Sequence, residues 1–218
     1  MTVTLTQESL DRLLGRFADA EPTPGGGSAS ALAGALAASL AAMVCRLTVG
    51  KKGYEAASDE AASLRDAADT LARRLREAVE ADAASFERVM AAMALPRADE
   101  SQKSERQAAM QAAFQHATLV PLDTARACLE AGRLASRLLA IGNRNASTDA
   151  GVAVLLSVAG GEGALFNAAI NLGSIKDAAW VDSRRAELAP LWTELDALRG
   201  ALWPAIRDAG VETPRGLS

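Results

Sequence analysis

Two carboxylates, Asp82 and Asp149, are candidates for proton transfer. Asp82 falls on the apolar stripe of a predicted helix, and a carboxylate that faces a core must be paired, hydrogen-bonded or neutral. Each of these states is common in active sites, although a carboxylate that pairs with an arginine or caps a neighbouring helix gives the same pattern. Asp149 follows Ser147 and Thr148 and precedes an apolar run. It is therefore an N-cap residue, a catalytic group or both.

Cationic and amide side chains supply further candidates for binding. Lys51 and Lys52 lie between two glycines in a break between predicted helices. Such a pair can hold the anionic tail of a substrate, and a solvated turn is the alternative. Amide side chains in apolar helices need specific partners. All four asparagines fall in the second half of the chain, at Asn143, Asn145, Asn167 and Asn171.

A run of glycines precedes the most alanine-rich segment of the chain. Gly25, Gly26 and Gly27 are followed by Ser28 and a predicted helix, whose free N–H groups and dipole favour an anion. The run is neither a Walker loop, which needs Lys and Ser/Thr after its last glycine, nor a Rossmann fingerprint, which needs a preceding strand. A turn that lets two helices touch is the alternative. There is no HExxH, no GxSxG and no metal-ligand constellation, so we expect no metal site.

Helices must position these residues. Alanine is abundant and only 4% of the residues are aromatic, which favours close-packed helices over strands. We therefore expect an all-α fold, an antiparallel helical bundle with a long central helix. Thr6 is the predicted cap of the first helix, and Pro121 can lie in the first turn of the fifth. The periodicity predicts helices over residues 6–17, 28–48, 56–94, 105–119, 122–140 and 177–199, with further helical pattern at 151–159 and 167–171.

Length and charge narrow the class of protein. A chain of 218 residues predicts a single domain over 1–218, with a core at about 6–200. The net charge of −4 gives no positive field for nucleic acid or anionic lipid. Residues 29–45 carry no charge and approach the length of a membrane span, but alanine, serine and glycine partition weakly into lipid, so we expect a buried helix and no membrane partner.

The cysteines and the N-terminal residues indicate in which cellular compartment the protein is found. Cys45 and Cys128 lie far apart with no CxxC pair, which suits buried reduced thiols in a reducing cytoplasm. The first residues include acidic side chains and no apolar run, unlike a signal peptide. We therefore expect a cytoplasmic protein.

A series of landmarks runs along the chain. They are Gly25-Gly26-Gly27-Ser28 before an alanine-rich helix, the Gly50-Lys51-Lys52 hinge, Asp82 with Phe86 and Met90, Leu95-Pro96, Val120-Pro121-Leu122, Gly142-Asn143, Thr148-Asp149 and Asn171-Leu172. In this order and spacing they resemble the cyclodeaminase and cyclohydrolase family of folate enzymes, over about residues 10–177. That family comprises the C-terminal domain of formiminotransferase-cyclodeaminase and freestanding bacterial methenyltetrahydrofolate cyclohydrolases.

The resemblance implies an all-helical homodimer in which the glycine run and the small-residue helix line a folate cleft. It also implies roles for individual residues. Asp149 would be the principal acid/base or orienting carboxylate, with Asp82 as the second candidate, and Lys51 would bind the glutamate tail or donate a proton. The substrate-binding set implied by matching positions is Gly25, Gly26, Gly27, Ser28, Lys52, Asn143, Thr148, Asn167 and Asn171. No cofactor is implied beyond tetrahydrofolate, which carries the one-carbon unit.

Two reactions and one non-catalytic role remain open. A cyclohydrolase adds water to 5,10-methenyltetrahydrofolate and gives 10-formyltetrahydrofolate, whereas a cyclodeaminase closes 5-formiminotetrahydrofolate and releases ammonia. Both pass through a tetrahedral carbon flanked by nitrogens, and a carboxylate suits both. The missing transferase domain favours the cyclohydrolase. The third possibility is a helical module that binds folate without turnover or supports a complex, in which Asp82 pairs two helices and Asp149 is only a cap.

Overall fold

The computed structural model describes residues 4–212, and these residues form helices joined by turns. The prediction of an all-α fold is confirmed. Within these residues, single-turn 3-10 helices cover Leu5–Gln7, Glu55–Ala57 and Arg144–Ala146. The α-helices of the same range are α1 (Leu10–Ala18), α2 (Gly26–Arg46), α3 (Ser58–Met93), α4 (Glu100–Ile141), α5 (Ser147–Leu172) and α6 (Ala178–Asp208).

Helix α2 is central and packs against α3, α4 and α5. Its first turn lies beside the end of α5, where Gly26 faces Asn167. Its other end meets the segment before α5, since the backbone N–H of Asn143 donates to Thr48 Oγ1. The two helices are therefore antiparallel, and each end of the pair brings together residues that are distant in sequence.

Glycines bring three helix backbones close together. A Cβ on Gly34 of α2 would lie 2.5 Å from Cys128 Sγ of α4. A Cβ on Gly160 of α5 would lie 2.7 Å from the Ser30 carbonyl oxygen. No larger side chain fits at either position without a shift of the neighbouring helix. Small residues recur at every fourth position of α2, at Ser30, Gly34, Ala38 and Ala42, and all four are buried, which suits close helix packing.

Helix α4 corrects the prediction of two helices separated at Pro121. It is one helix of 42 residues, and Pro121 lies inside it. Proline usually interrupts a helix because it removes one N–H and crowds the carbonyl four residues earlier. Here the carbonyl of Ala117 receives a substitute donor, Asn171 Nδ2, at 2.7 Å. The tertiary contact, which the local pattern does not reveal, lets the helix continue.

Several predicted boundaries also move. Ser9, not Thr6, caps the first α-helix by accepting from the backbone N–H of Arg12. Helix α2 begins at Gly26, inside the glycine run, instead of at Ser28. The helical patterns at 151–159 and 167–171 belong to the single helix α5. Gly160 and Gly161 lie inside this helix at close-packed positions where a Cβ would clash, so they serve packing and do not end the helix. The last helix extends to Asp208.

Both cysteines are buried and neither forms a disulfide. Burial raises the pKa of Cys45 to about 11 and that of Cys128 to about 12. Both thiols are therefore protonated at neutral pH and pack as small apolar groups.

By length and hydropathy α2 and the segment Arg144–Leu172 pass the test for a membrane span. Of the most apolar 18 residues, 61% are buried in α2 and 50% in the second segment. This is the pattern of a core helix that keeps one apolar face exposed. The absence of a membrane partner stays a prediction.

Candidate functional site

A cleft of about 230 Å³ opens where the start of α2 meets the end of α5. Helices α3 and α4 form its opposite wall. The cleft combines backbone of the glycine run, one carboxylate, two amides and two phenylalanine rings. Its lining residues are Pro22, Thr23, Gly25, Gly26, Gly27, Asp82, Ser85, Phe86, Val89, Phe114, Ala117, Asn167 and Asn171.

Asp82 of α3 is half-buried in this cleft and faces the first turn of α2. Its Oδ2 accepts a hydrogen bond of 2.9 Å from the Ser28 hydroxyl. Ser28 Oγ also lies 2.9 Å from the Val79 carbonyl oxygen. One hydroxyl proton thus has two acceptors, and a protonated Asp82 can donate to Ser28 Oγ while Ser28 donates to Val79.

Two opposing effects act on the acidity of Asp82. Burial raises the pKa of its carboxyl, while the hydrogen bonds from the hydroxyl and backbone N–H of Ser28 lower it. Burial is the larger effect, so the pKa is raised overall. A carboxyl with a raised pKa in a cleft is suited to accept and return a proton.

Gly27 explains how Asp82 comes so close to α2. A Cβ at this position would lie 2.1 Å from Asp82 Oδ1 and 2.7 Å from Oδ2. Only glycine allows the carboxylate to occupy this space. The glycine run therefore makes room for a carboxylate of the chain itself, beside the backbone N–H groups of the α2 N-terminus.

Two asparagines of α5 line the cleft. Asn167 Nδ2 donates to the Gly163 carbonyl one turn earlier, at 2.8 Å. Asn171 Nδ2 donates to the Ala117 carbonyl of α4. Each amide is anchored through its nitrogen, which leaves its oxygen as the atom that can accept from a ligand.

The structure adds residues that the sequence did not single out. Phe114 of α4 and Ser85 of α3 line the cleft. Phe86, which is a landmark of the sequence together with Asp82, lines the cleft as well and is 37% exposed, which is unusual for so large an apolar ring. The scarcity of aromatics, only four phenylalanines in 218 residues, is the one signal that could have drawn attention to Phe114.

The other predicted site residues lie at the opposite end of α2. Lys51 and Lys52 are exposed in a turn after α2, between Gly50 and Gly53, whose φ angles are +67° and +89°. Helix α2 has 21 residues and spans about 30 Å. Within a single chain, the residues at this end are therefore remote from the cleft; they are Lys51, Lys52, Asn143, Thr148 and Asp149.

Asn143 links the segment before α5 to the residue that follows α2. Its Nδ2 donates to the Leu47 carbonyl at 3.0 Å, and its Oδ1 accepts from the backbone N–H of Asn145 at 3.1 Å. Tyr54 adds a neighbouring tie, since its hydroxyl accepts from the backbone N–H of Arg144. The Asn143 amide is therefore used to fasten the α4–α5 connection to the end of α2.

Asp149 lies inside α5, in its first turn, and is not the N-cap that its position before an apolar run predicts. Ala146 occupies the N-cap position and offers no side-chain cap. Asp149 is half-buried and Thr148 is exposed. A carboxylate in the first turn interacts favourably with the helix dipole and remains available for chemistry.

The chain resembles known proteins over most of its length. The family model for formiminotransferase-cyclodeaminase matches residues 9–190. A methenyltetrahydrofolate cyclohydrolase of Methylorubrum extorquens is 36% identical over 200 residues, which cover 92% of this chain and 96% of the relative. The formimidoyltransferase-cyclodeaminase of Sus scrofa is 32% identical over 171 residues, 78% of this chain but only 32% of that longer protein.

A solved structure shares the fold. The crystal structure of formiminotetrahydrofolate cyclodeaminase from Thermotoga maritima matches with a TM-score of 0.84 and 26% sequence identity. The match covers 95% of this chain and 100% of the other.

Proposed function

Because the chain belongs to the formiminotransferase-cyclodeaminase family, we propose that it is a methenyltetrahydrofolate cyclohydrolase. It hydrolyses 5,10-methenyltetrahydrofolate to 10-formyltetrahydrofolate. The observation that carries the proposal is the similarity to the cyclohydrolase of Methylorubrum extorquens, which extends over nearly the whole of both chains. The cleft supports it, because it offers a carboxyl suited to proton transfer beside polar and aromatic groups that fit a pterin.

Asp82 is the proposed acid/base. Water attacks the amidinium carbon between N5 and N10, and Asp82 accepts one proton from it, which leaves a neutral carbinolamine. The C–N5 bond then breaks as Asp82 returns that proton to N5, and the hydroxyl proton leaves to solvent as the formyl C=O forms. Ser28 can serve both states, since it donates to the ionised carboxylate and accepts from the protonated one.

The sequence favoured Asp149 over Asp82 as the acid/base, and we propose the reverse order. Asp82 lines the cleft, whereas Asp149 lies at the far end of α2 and α5. We assign to Asp149 and Lys51 a role in a cleft of a second copy of the chain.

A homodimer is proposed from the exposed face of α2 and α5. The exposed side of α2 carries Leu36, which is 51% exposed, and Leu47, which directly follows the helix, is 45% exposed. The adjacent side of α5 carries Val152, Phe166 and Ile170, and Ile170 is 75% exposed. Because α2 and α5 pack side by side, their exposed sides form one apolar face. A second copy covers such a face with an identical one about a two-fold axis.

The midpoint of α2 is Leu36, which makes an antiparallel pairing of two copies natural. A two-fold axis perpendicular to α2 near this residue places the start of α2 against the end of the partner's α2. The cleft at Gly25–27 of one copy then approaches the end of the other copy that carries Lys51, Thr148 and Asp149. This arrangement reunites the two halves of the predicted substrate-binding set.

The test follows the absorbance of methenyltetrahydrofolate after addition of purified protein, corrected for spontaneous hydrolysis. A parallel assay measures ammonia from 5-formiminotetrahydrofolate. Rapid decay without ammonia supports the cyclohydrolase. Ammonia release with slow decay supports a cyclodeaminase, which is the second candidate because the Thermotoga maritima structure bears that name and shares the whole fold. Folate binding without either reaction would indicate a non-catalytic module.

A further inference from the structure

Pro121 and Asn171 form an unusual pair between α4 and α5. In a regular helix the N–H of residue 121 would donate to the carbonyl of residue 117. Proline has no N–H, so the Ala117 carbonyl loses this donor. Asn171 Nδ2 takes its place at 2.7 Å. The gap left by the proline in one helix is thus filled by a side chain of another.

This contact fixes the direction of the Asn171 amide. A carbonyl oxygen only accepts, so the amide must present its nitrogen to Ala117. The other end of the same amide, Oδ1, is then the atom left for a donor in the cleft. Ala117 and Asn171 both line that cleft, together with Phe114 from the preceding turn of α4.

The end of α5 is held to α4 by a second, separate contact. Gln111 Nε2 donates to the Ser174 carbonyl at 3.0 Å, and Gln111 Oε1 accepts from the backbone N–H of Lys176 at 2.7 Å. The segment after α5 therefore has its own attachment to α4. Loss of the Asn171 contact should release the amide without undocking the helix.

We propose that Pro121 is a positioning residue for folate binding: it frees the Ala117 carbonyl, which holds Asn171 with its amide oxygen ready to accept from the N–H donors of the pterin ring. This inference rests on the proposed function. Tetrahydropterin carries ring N–H and exocyclic amino donors, and an acceptor held in one orientation discriminates in favour of them. Pro121 acts through Asn171 and does not itself touch the substrate.

The test is Pro121→Ala. Alanine supplies the missing N–H, which bonds to Ala117 and displaces Asn171. We expect a melting temperature equal to or above that of the wild type, because alanine is the better helix residue. We expect KM for methenyltetrahydrofolate to rise about 5-fold, the effect of one hydrogen bond, with kcat changed less than about 2-fold. Pro190→Ala, at an exposed position within α6, is the matched control and should leave KM unchanged.

A double-mutant comparison separates positioning from a general packing effect. Asn171→Ala should raise KM by itself, and adding Pro121→Ala should raise it no further. Additive increases in KM would overturn the proposal, as would a wild-type KM in Pro121→Ala.

A second readout does not depend on catalysis. The side-chain amide of Asn171, assigned in ¹⁵N NMR spectra by its loss in Asn171→Ala, should be protected from hydrogen exchange in the wild type and exchange faster in Pro121→Ala. Unchanged exchange would disprove the link between the two residues. If the wild type shows this link but does not bind methenyltetrahydrofolate, the proposed function fails and with it the folate role of the pair.

Discussion

The Ser28 hydroxyl lies 2.9 Å from Asp82 Oδ2 and 2.9 Å from the Val79 carbonyl oxygen, so a single proton is shared between a carboxylate and a peptide group. The ionised carboxylate draws the hydroxyl proton towards itself. A protonated carboxyl can instead donate to Ser28 Oγ, and the hydroxyl then turns to Val79. Both protonation states of Asp82 are therefore hydrogen-bonded within the cleft.

Replacing Ser28 with alanine should shift the pH dependence of the reaction. The Ser28 hydrogen bonds lower the pKa of Asp82, and the variant loses the one from the hydroxyl. The pKa of Asp82 then rises further, and the acidic limb of kcat/KM moves to higher pH, because Asp82 must be ionised to accept a proton. A pH–rate profile measures the shift. An acidic limb at the wild-type position would remove Asp82 from the proton transfer.

Asp82→Asn should separate activity from stability. Without a proton acceptor the variant should lose at least about 100-fold in kcat. The pKa of Asp82 is higher in the folded protein than in the unfolded chain. The protonated carboxyl therefore contributes to the free energy of unfolding in full below its unfolded-state pKa, and this contribution is lost as the pH rises through its folded-state pKa.

Asparagine is neutral at every pH, so the Asp82→Asn variant is not destabilised by the ionisation of a buried carboxyl. Thermal melts should therefore show Asp82→Asn as stable as the wild type or more stable at pH 7, with the advantage shrinking as the pH falls through the raised pKa of Asp82 and gone below about 4, the ordinary pKa of an aspartate. A variant that is less stable at pH 7 would show that the Ser28 contact outweighs the effect of burial.

Gly27→Ala should damage the cleft although alanine favours helices. The new Cβ would lie 2.1 Å from Asp82 Oδ1, so the carboxylate must move away from Ser28. We expect a loss of at least about 10-fold in kcat/KM with the helical circular dichroism retained. Gly200→Ala in α6 is the control, because nothing lies within 4 Å of its added Cβ. Equal activity of the two variants would contradict the geometry.

Mixed dimers test whether two copies share a site. Asp82→Asn and Asp149→Asn should each be inactive as pure dimers. In random heterodimers, one cleft carries both changes and the other carries neither, so an equimolar refolded mixture should regain about a quarter of wild-type activity. Mixtures of Asp82→Asn with Gly27→Ala, which affect the same cleft, should regain none. No recovery in the first mixture would place each site within one chain.

Leu36→Glu should dissociate the proposed dimer. It places a charge at the centre of the apolar face, where two copies of Leu36 would meet about the two-fold axis. Sedimentation equilibrium should show a monomer of about half the wild-type mass, with activity falling in parallel. Ala186→Glu, at an exposed position of α6, should leave the mass unchanged. A wild type that is itself monomeric would refute the interface.

The sequence predicted the helical class and most helix positions, because apolar periodicity and alanine content are local properties. It failed at Pro121, where a local rule is overridden by Asn171, a residue 50 positions later. It predicted that Asp82 needs a partner but not that Ser28 supplies it, since the pair is 54 residues apart in sequence. Asn143 was predicted to bind substrate, and its backbone contacts became visible only in three dimensions.

The walls of the cleft differ in whether a substitution can change their shape. The α2 wall is backbone and glycine, at Gly25, Gly26 and Gly27, and has no rotamers to adjust. Its shape is set by the position of the helix, which the contacts at Gly34 and Gly160 hold rigidly. Adaptation to a different pterin or one-carbon group must therefore come from the side chains that the other helices contribute, Phe86 of α3, Phe114 of α4 and Asn167 and Asn171 of α5, which can be exchanged without moving a helix.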